Sequence, residues 1–149
     1  MRAAVQRVHE ASVTVDGQVV GSIRQGLLVY AAVAIDDTEA DARYIAEKVA
    51  GLRIFNDPDG KMNLKVSDVG GGLLVISAFT LQADARKGRR PSFDAAAGPD
   101  LALVLYERLC EMLGDMGLSV AKGVFRAHME VASINDGPIC VLLDSKRTF

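Results

Sequence analysis

The chain has 149 residues, 50% of them hydrophobic and 24% charged, with a formal net charge of −2. That balance suits one globular domain over residues 1–149 with a sizeable core, and it excludes a polycation, so any nucleic acid must be held by a local patch. No run approaches the ~20 apolar residues of a membrane span, and Met1-Arg2-Ala3-Ala4-Val5 opens no secretory signal, so a cytoplasmic location is expected.

Residues 1–8 read as a strand. Residues 11–15 and 18–23 alternate around Asp16-Gly17, a hairpin signal. Residues 26–34 are apolar and short enough for a buried strand. Thr38 begins a Thr-Glu-Ala-Asp run suited to a helix start. Ile45, Ala46, Val49 and Leu52 follow at helical spacing, which predicts a helix over 39–52. Asp57-Pro58-Asp59-Gly60 is a turn. Gly70-Gly71-Gly72 leads into a buried strand over 73–79, and a polar loop spans 82–98. Asp100 is placed to cap a second helix to residue 116, with Leu101, Leu105, Leu109, Met112 and Met116 on its apolar face and Gly117 ending it. Three strands close the chain, over 119–125, 128–134 and 139–143. This order predicts an α+β fold: one curled, barrel-like sheet, mainly antiparallel or mixed, with two main helices. No GxGxxG follows a strand, which argues against a dinucleotide-binding fold.

A conventional active site is not evident. The only histidines, His9 and His128, show no triad spacing and read as structural or surface residues; no HExxH or CxxC occurs. Cys110 and Cys140 have no metal-ligand spacing; the sequence leaves a disulfide between them open, with free thiols the expectation and Cys110 in the core. No metal or other cofactor is called for. Three segments carry more information. Ser77-Ala78-Phe79-Thr80-Leu81 ends a buried strand, where hydroxyls and backbone N–H groups either meet a ligand or bond the local backbone. Arg86-Lys87-Gly88-Arg89-Arg90-Pro91-Ser92-Phe93 sets four cations in five residues, a phosphate-holding loop with an aromatic ring, or a solvated charged loop. Asn135-Asp136-Gly137-Pro138 reads as a hairpin connection whose X-Pro bond is open to the cis form.

Taken together the chain resembles the D-aminoacyl-tRNA deacylases. The likeness includes Ala4-Val5-Gln6-Arg7-Val8, Ala11-Ser12-Val13-Thr14-Val15 and Gly26-Leu27-Leu28-Val29. It continues through Arg53-Ile54-Phe55, Gly60-Lys61-Met62-Asn63-Leu64, the basic segment, Gly123-Val124-Phe125 with Met129, and Asn135-Asp136-Gly137-Pro138. The resemblance implies a homodimer with active sites at the subunit interface, each taking the 3′-terminal adenosine and amino acid of a charged tRNA. Gly137 and Pro138, as a Gly-cisPro element, would enter the partner's pocket and exclude L-amino acids, and Arg7 would support that element. Ser77, Phe79 and Thr80 would serve catalysis; Ala78, Phe125 and Met129 would line the substrate; Arg86, Lys87, Arg89 and Arg90 would hold tRNA. Two positions depart from the family pattern. Ala78 stands where Gln is usual, and Cys140 where Thr is common.

An aminoacyl ester is already activated, so orientation and oxyanion stabilisation by backbone N–H groups near Phe79 and Thr80 would suffice. Water is then the nucleophile, helped by the ribose 2′-hydroxyl; the alternative makes the Thr80 hydroxyl the nucleophile. Rival readings are an editor of glycyl- or mischarged small-amino-acid tRNA, a non-catalytic tRNA-binding module, and a thiol enzyme using Cys140.

Overall fold

The computed structural model describes the whole chain, Met1–Phe149. Its architecture grows from two strands that are apolar almost throughout, β3 (Gly26–Ala32) and β6 (Gly72–Ser77). Side chains alternate between faces along a strand, so such runs belong where both faces are buried. Leu27, Val29, Ala31, Leu73 and Val75 join the main core beneath the helices, whereas Leu28, Leu74 and Ile76 fill a second core inside the curl of the sheet.

β3 and β6 pair in parallel, from Gly26 opposite Gly72 to Ala31 opposite Ser77. β1 (Arg2–Val15) lies antiparallel to β3 with its first half and to β2 (Gln18–Ile23) with its second. The β1–β2 hairpin turns on Asp16 and Gly17, both at positive φ. β7 (Val120–Lys122) joins β6 in parallel, and β8 (Glu130–Asp144) runs antiparallel along the other edge of β1. The path β2-β1-β3-β6-β7 curls until its ends nearly meet. A Cβ at Gly21 of β2 would sit 2.6 Å from the Lys122 carbonyl oxygen, so this approach requires glycine. The fold is therefore the expected α+β arrangement with a barrel-like mixed sheet. β4 (Phe55–Asn56) and β5 (Met62–Leu64) form a small separate ladder around the turn at 57–60.

Two helices cover one face. α1 (Glu39–Gly51) starts where the Asp41 carboxylate accepts the Thr38 backbone N–H at 2.8 Å, and it buries Ala42, Ile45, Ala46 and Val49. α2 (Pro99–Asp115) buries Leu105, Tyr106, Leu109, Cys110, Met112 and Leu113, and the Tyr106 hydroxyl donates to the Val75 carbonyl at 2.8 Å. Both chain ends meet α1. The Met1 ammonium lies 2.6 Å from Asp37 and from the Ser145 hydroxyl, which in turn donates to Asp41. Burial pushes the Asp41 carboxyl up, but hydrogen bonds from Ser145, the Thr38 backbone and Lys146 outweigh it and hold the group well below the usual carboxylate range.

Several boundaries differ from the sequence expectation. The strands expected over 1–8 and 11–15 are one strand, because β8 pairs along both parts and absorbs the polar His9-Glu10 break as irregularities in register. The strands expected over 128–134 and 139–143 are likewise one, and residues 135–138 make no hairpin. While β1 passes from Gln6 to Val8, β8 passes from Cys140 to Asn135, so the segment between bulges out of the ladder. The strand expected over 73–79 ends at Ser77 and turns into a 3₁₀ segment, Phe79–Gln82. β7 is shorter than 119–125, since Phe125 and Arg126 form a turn. α2 starts two residues earlier than expected: Gly98 occupies the cap and Pro99 the first turn, which suits its fixed φ, leaving Asp100 inside the helix. Leu101 and Met116 stay partly exposed because the buried stripe of α2 runs through Tyr106 and Leu113 instead.

Candidate active site

The carboxyl ends of β3 and β6 open onto a cavity of about 580 Å³. Residues 77–80 supply one part of its lining, residues 125–129 another, and Ala97, Pro99 and Ala102 at the start of α2 a third. The structure thus brings together Ser77, Ala78, Phe79, Thr80, Phe125 and Met129, six residues singled out from sequence.

The local backbone explains what this end of β6 offers. Ser77 is the last paired residue, and the Ala78 N–H still donates to the Ala31 carbonyl at 2.8 Å. The chain then tightens: the Leu81 N–H donates to the Ala78 carbonyl at 3.0 Å and the Ala83 N–H to the Thr80 carbonyl at 3.1 Å. The first N–H groups of a helical turn have no partner within it. Here those are Phe79 and Thr80, two backbone donors beside the Ser77 and Thr80 hydroxyls. Such a pair suits a developing oxyanion. No acidic residue lines the cavity, and its one imidazole is His128, so Thr80 has no carboxylate beside it to activate its hydroxyl. Ala78 adds a methyl group where a Gln side chain would bring a donor and an acceptor.

The basic loop reaches this site through an aromatic contact. Phe93 packs edge-on against Phe79 with ring centroids 5.2 Å apart, and Phe79 remains 56% exposed at the cavity. Asp84 and Ser92 pair backbone to backbone at 2.8 and 2.9 Å, which makes residues 84–92 a closed loop. Within it Arg86 forks onto Asp84, at 2.9 Å through Nε and 2.6 Å through Nη2. That pairing holds the Asp84 carboxyl well below the usual range. Arg86 is therefore already engaged, and Lys87, Arg89 and Arg90 project as exposed cations.

Gly137, Pro138 and Arg7 lie elsewhere. None of them lines the cavity. Gly137-Pro138 is a cis peptide at an exposed bulge of β8, with Gly137 at φ 140°. A Cβ on Gly137 would come within 2.8 Å of the Ile139 nitrogen, so no other residue fits that path. Arg7 is 7% exposed and anchors the bulge from below. Its Nε donates to the Asp136 carbonyl at 3.2 Å and pairs with the Asp136 carboxylate at 3.0 Å, while Nη1 donates to the Ile54 carbonyl at 2.7 Å. The Asn135 amide closes the base of the bulge, donating to the Ile139 carbonyl at 3.0 Å and accepting its N–H at 2.9 Å. Cys140 is a free, exposed thiol on β8 outside the cavity lining, whereas Cys110 is buried and burial pushes its thiol up to about 12.

The profile of the family described as D-Tyr-tRNA(Tyr) deacylase matches residues 4–144. The chain belongs to that family. Over all 149 residues, and over the full length of each relative, it is 56% identical to the D-aminoacyl-tRNA deacylase of Thermotoga petrophila and 58% identical to that of Anaeromyxobacter dehalogenans. Among solved structures it superposes on a c-Myc DNA Unwinding Element Binding Protein with a TM-score of 0.91 at 35% identity, covering 97% of this chain and 98% of the other.

As a member of the deacylase family the chain is an ester hydrolase in class. Arg126 and His128 were not picked out as site residues from sequence, yet both line the cavity. Tyr30, Ile76 and Val131 line it as well; Tyr30 and Ile76 fall in the strands expected to be buried, and Val131 in a strand with no site assigned. No spacing rule marks any of these five, because the cavity forms only when the ends of β3 and β6 meet the segment before β8.

Proposed function

We propose that the protein hydrolyses the ester between a D-amino acid and the terminal ribose of tRNA. The observation that carries this reading is the pair of unpartnered N–H groups at Phe79 and Thr80, set in an acid-free cavity in a member of the deacylase family. The ester carbonyl oxygen lies against these donors, which stabilise the oxyanion as water attacks the carbonyl carbon. The bond from that carbon to the ribose oxygen breaks, and the proton lost by water ends on the ribose oxygen. Free amino acid and uncharged tRNA leave. The neighbouring 2′-hydroxyl assists the water, and no cofactor takes part.

Ser77, Phe79 and Thr80 carry the chemistry in this reading, and Ala78, Phe125 and Met129 hold the aminoacyl-adenosine end. Lys87, Arg89 and Arg90, with Arg86 tied to Asp84, meet tRNA phosphates. Chirality is checked by Gly137 and Pro138 of a second copy, whose carbonyls occupy the space an L side chain needs. Two features support a homodimer. The Gly137-Pro138 bulge is exposed and lies off its own cavity, and the outer edge of β8 is unpaired along Glu130–Asp144, with Ile134 and Leu142 exposed at 53% and 58%. Ala78 favours an extension of range to glycyl-tRNA, since the site lacks one polar contact.

The deciding measurement is amino-acid release by the purified protein from D-tyrosyl-, L-tyrosyl- and glycyl-tRNA. Rapid cleavage of the D ester with the L ester spared is expected. Cleavage of glycyl-tRNA alone would replace the D-amino acid reading with an altered editor, and tRNA binding without any cleavage would leave a binding module.

A further inference from the structure

Arg126 stands out in both conformation and position. It takes φ 64°, a left-handed conformation that costs most side-chain-bearing residues roughly 1–2 kcal/mol. It occupies the third place of a four-residue turn closed by the Ala127 N–H on the Val124 carbonyl at 3.2 Å, a place where glycine or asparagine is at ease. Two other non-glycine residues share positive φ. Asp16 is of a type that tolerates it in a hairpin, and Arg147 stacks over the Tyr44 ring at 5.6 Å. Arg126 has no such partner. It is exposed, forms no ion pair, and lines the cavity beside the exposed His128. The cavity holds no acidic residue, so this is an uncompensated positive charge on a mainly apolar lining.

We infer that Arg126 is a substrate-binding residue that takes the phosphodiester joining the last two nucleotides of the tRNA 3′ end. Backbone strain at an exposed turn persists where the side chain has work at that point. A guanidinium at the cavity offers a phosphate two parallel N–H donors. The exposed cations of the 84–92 loop reach phosphates farther along the acceptor arm, whereas Arg126 anchors the end that enters the cavity. The inference rests on the tRNA-ester reading above and adds a contact to it.

The test compares Arg126→Gly and Arg126→Lys with the unaltered protein on D-tyrosyl-tRNA, following kcat, KM, salt dependence, Tm and sedimentation. Arg126→Gly relieves the strained φ, so Tm is expected unchanged or up to about 4 °C higher. KM is expected to rise roughly tenfold with kcat within about twofold, and the slope of log affinity against log salt to fall by about 1. Arg126→Lys keeps the charge and is expected to hold KM within about threefold. An unchanged KM and salt slope in Arg126→Gly would overturn the assignment. So would a KM rise accompanied by a lower Tm or by loss of the oligomer, which would make Arg126 a packing or subunit-contact residue. If the unaltered protein binds but does not cleave D-tyrosyl-tRNA, the enzyme reading fails, while loss of the salt-dependent binding in Arg126→Gly would still uphold the phosphate contact.

Discussion

At the residue scale, the proposed mechanism rests more on backbone groups than on reactive side chains. Thr80 has a hydroxyl in the cavity but no carboxylate beside it, while the N–H groups of Phe79 and Thr80 are free because a 3₁₀ turn begins there. Backbone donors survive replacement of the side chain. Thr80→Ala is therefore expected to keep kcat within about threefold, measured as D-tyrosine release under saturating D-tyrosyl-tRNA. A fall of about 100-fold or more would reinstate the hydroxyl as nucleophile. By the same logic Ala78 is compatible with the proposed mechanism: substitution there removes a side-chain contact but leaves the strand end and its N–H groups in place. The Ser77-to-Leu81 segment was legible in sequence as a strand end. Arg126 was not, because nothing in the spacing of residues announces a left-handed φ.

At the element scale, β8 and its bulge matter most. The sequence reading placed a hairpin at Asn135-Asp136-Gly137-Pro138, since Gly and Pro usually end strands. Instead β1 supplies a partner on both sides of the bulge, and its ladder carries β8 past it. Arg7 is what ties the bulge to the body of the protein. Removing its side chain leaves the Ile54 and Asp136 carbonyls, and the Asp136 carboxylate, without their main donor. Arg7→Ala is expected to cost about 2–3 kcal/mol, discounted for the partial exposure of Asp136. Urea unfolding should show a lower midpoint with an unchanged m-value. Activity toward the D ester is expected to fall further than this loss of stability explains, because the bulge that Arg7 positions is the proposed chirality element. Arg7→Lys keeps the charge but loses the fork, so it is expected to recover less than half of either effect.

At the scale of the whole molecule, the proposed dimer makes one protomer's cavity depend on another's bulge. Leu142→Glu places a charge on the unpaired edge of β8, where the side chain is 58% exposed and contributes little to the protomer's own core. Sedimentation velocity is expected to show a monomer that keeps its far-ultraviolet dichroism, with kcat/KM lowered about 100-fold or more. A monomer of full activity would show that each cavity works alone. The sequence by itself determined the α+β class, α1, the β1–β2 hairpin turn and the burial of β3 and β6, because these follow from local periodicity, capping and turn chemistry. It also marked the Ser77–Thr80 strand end and the Gly137-Pro138 pair. Only the tertiary structure decided that β1 and β8 are continuous, since long-range ladder pairing outweighed the polar and Gly-Pro breaks that local rules read as ends. It alone decided, too, that the cavity gathers Arg126 and His128 with Thr80, because that meeting depends on parallel pairing of β3 with β6 and on where the chain before β8 comes to rest.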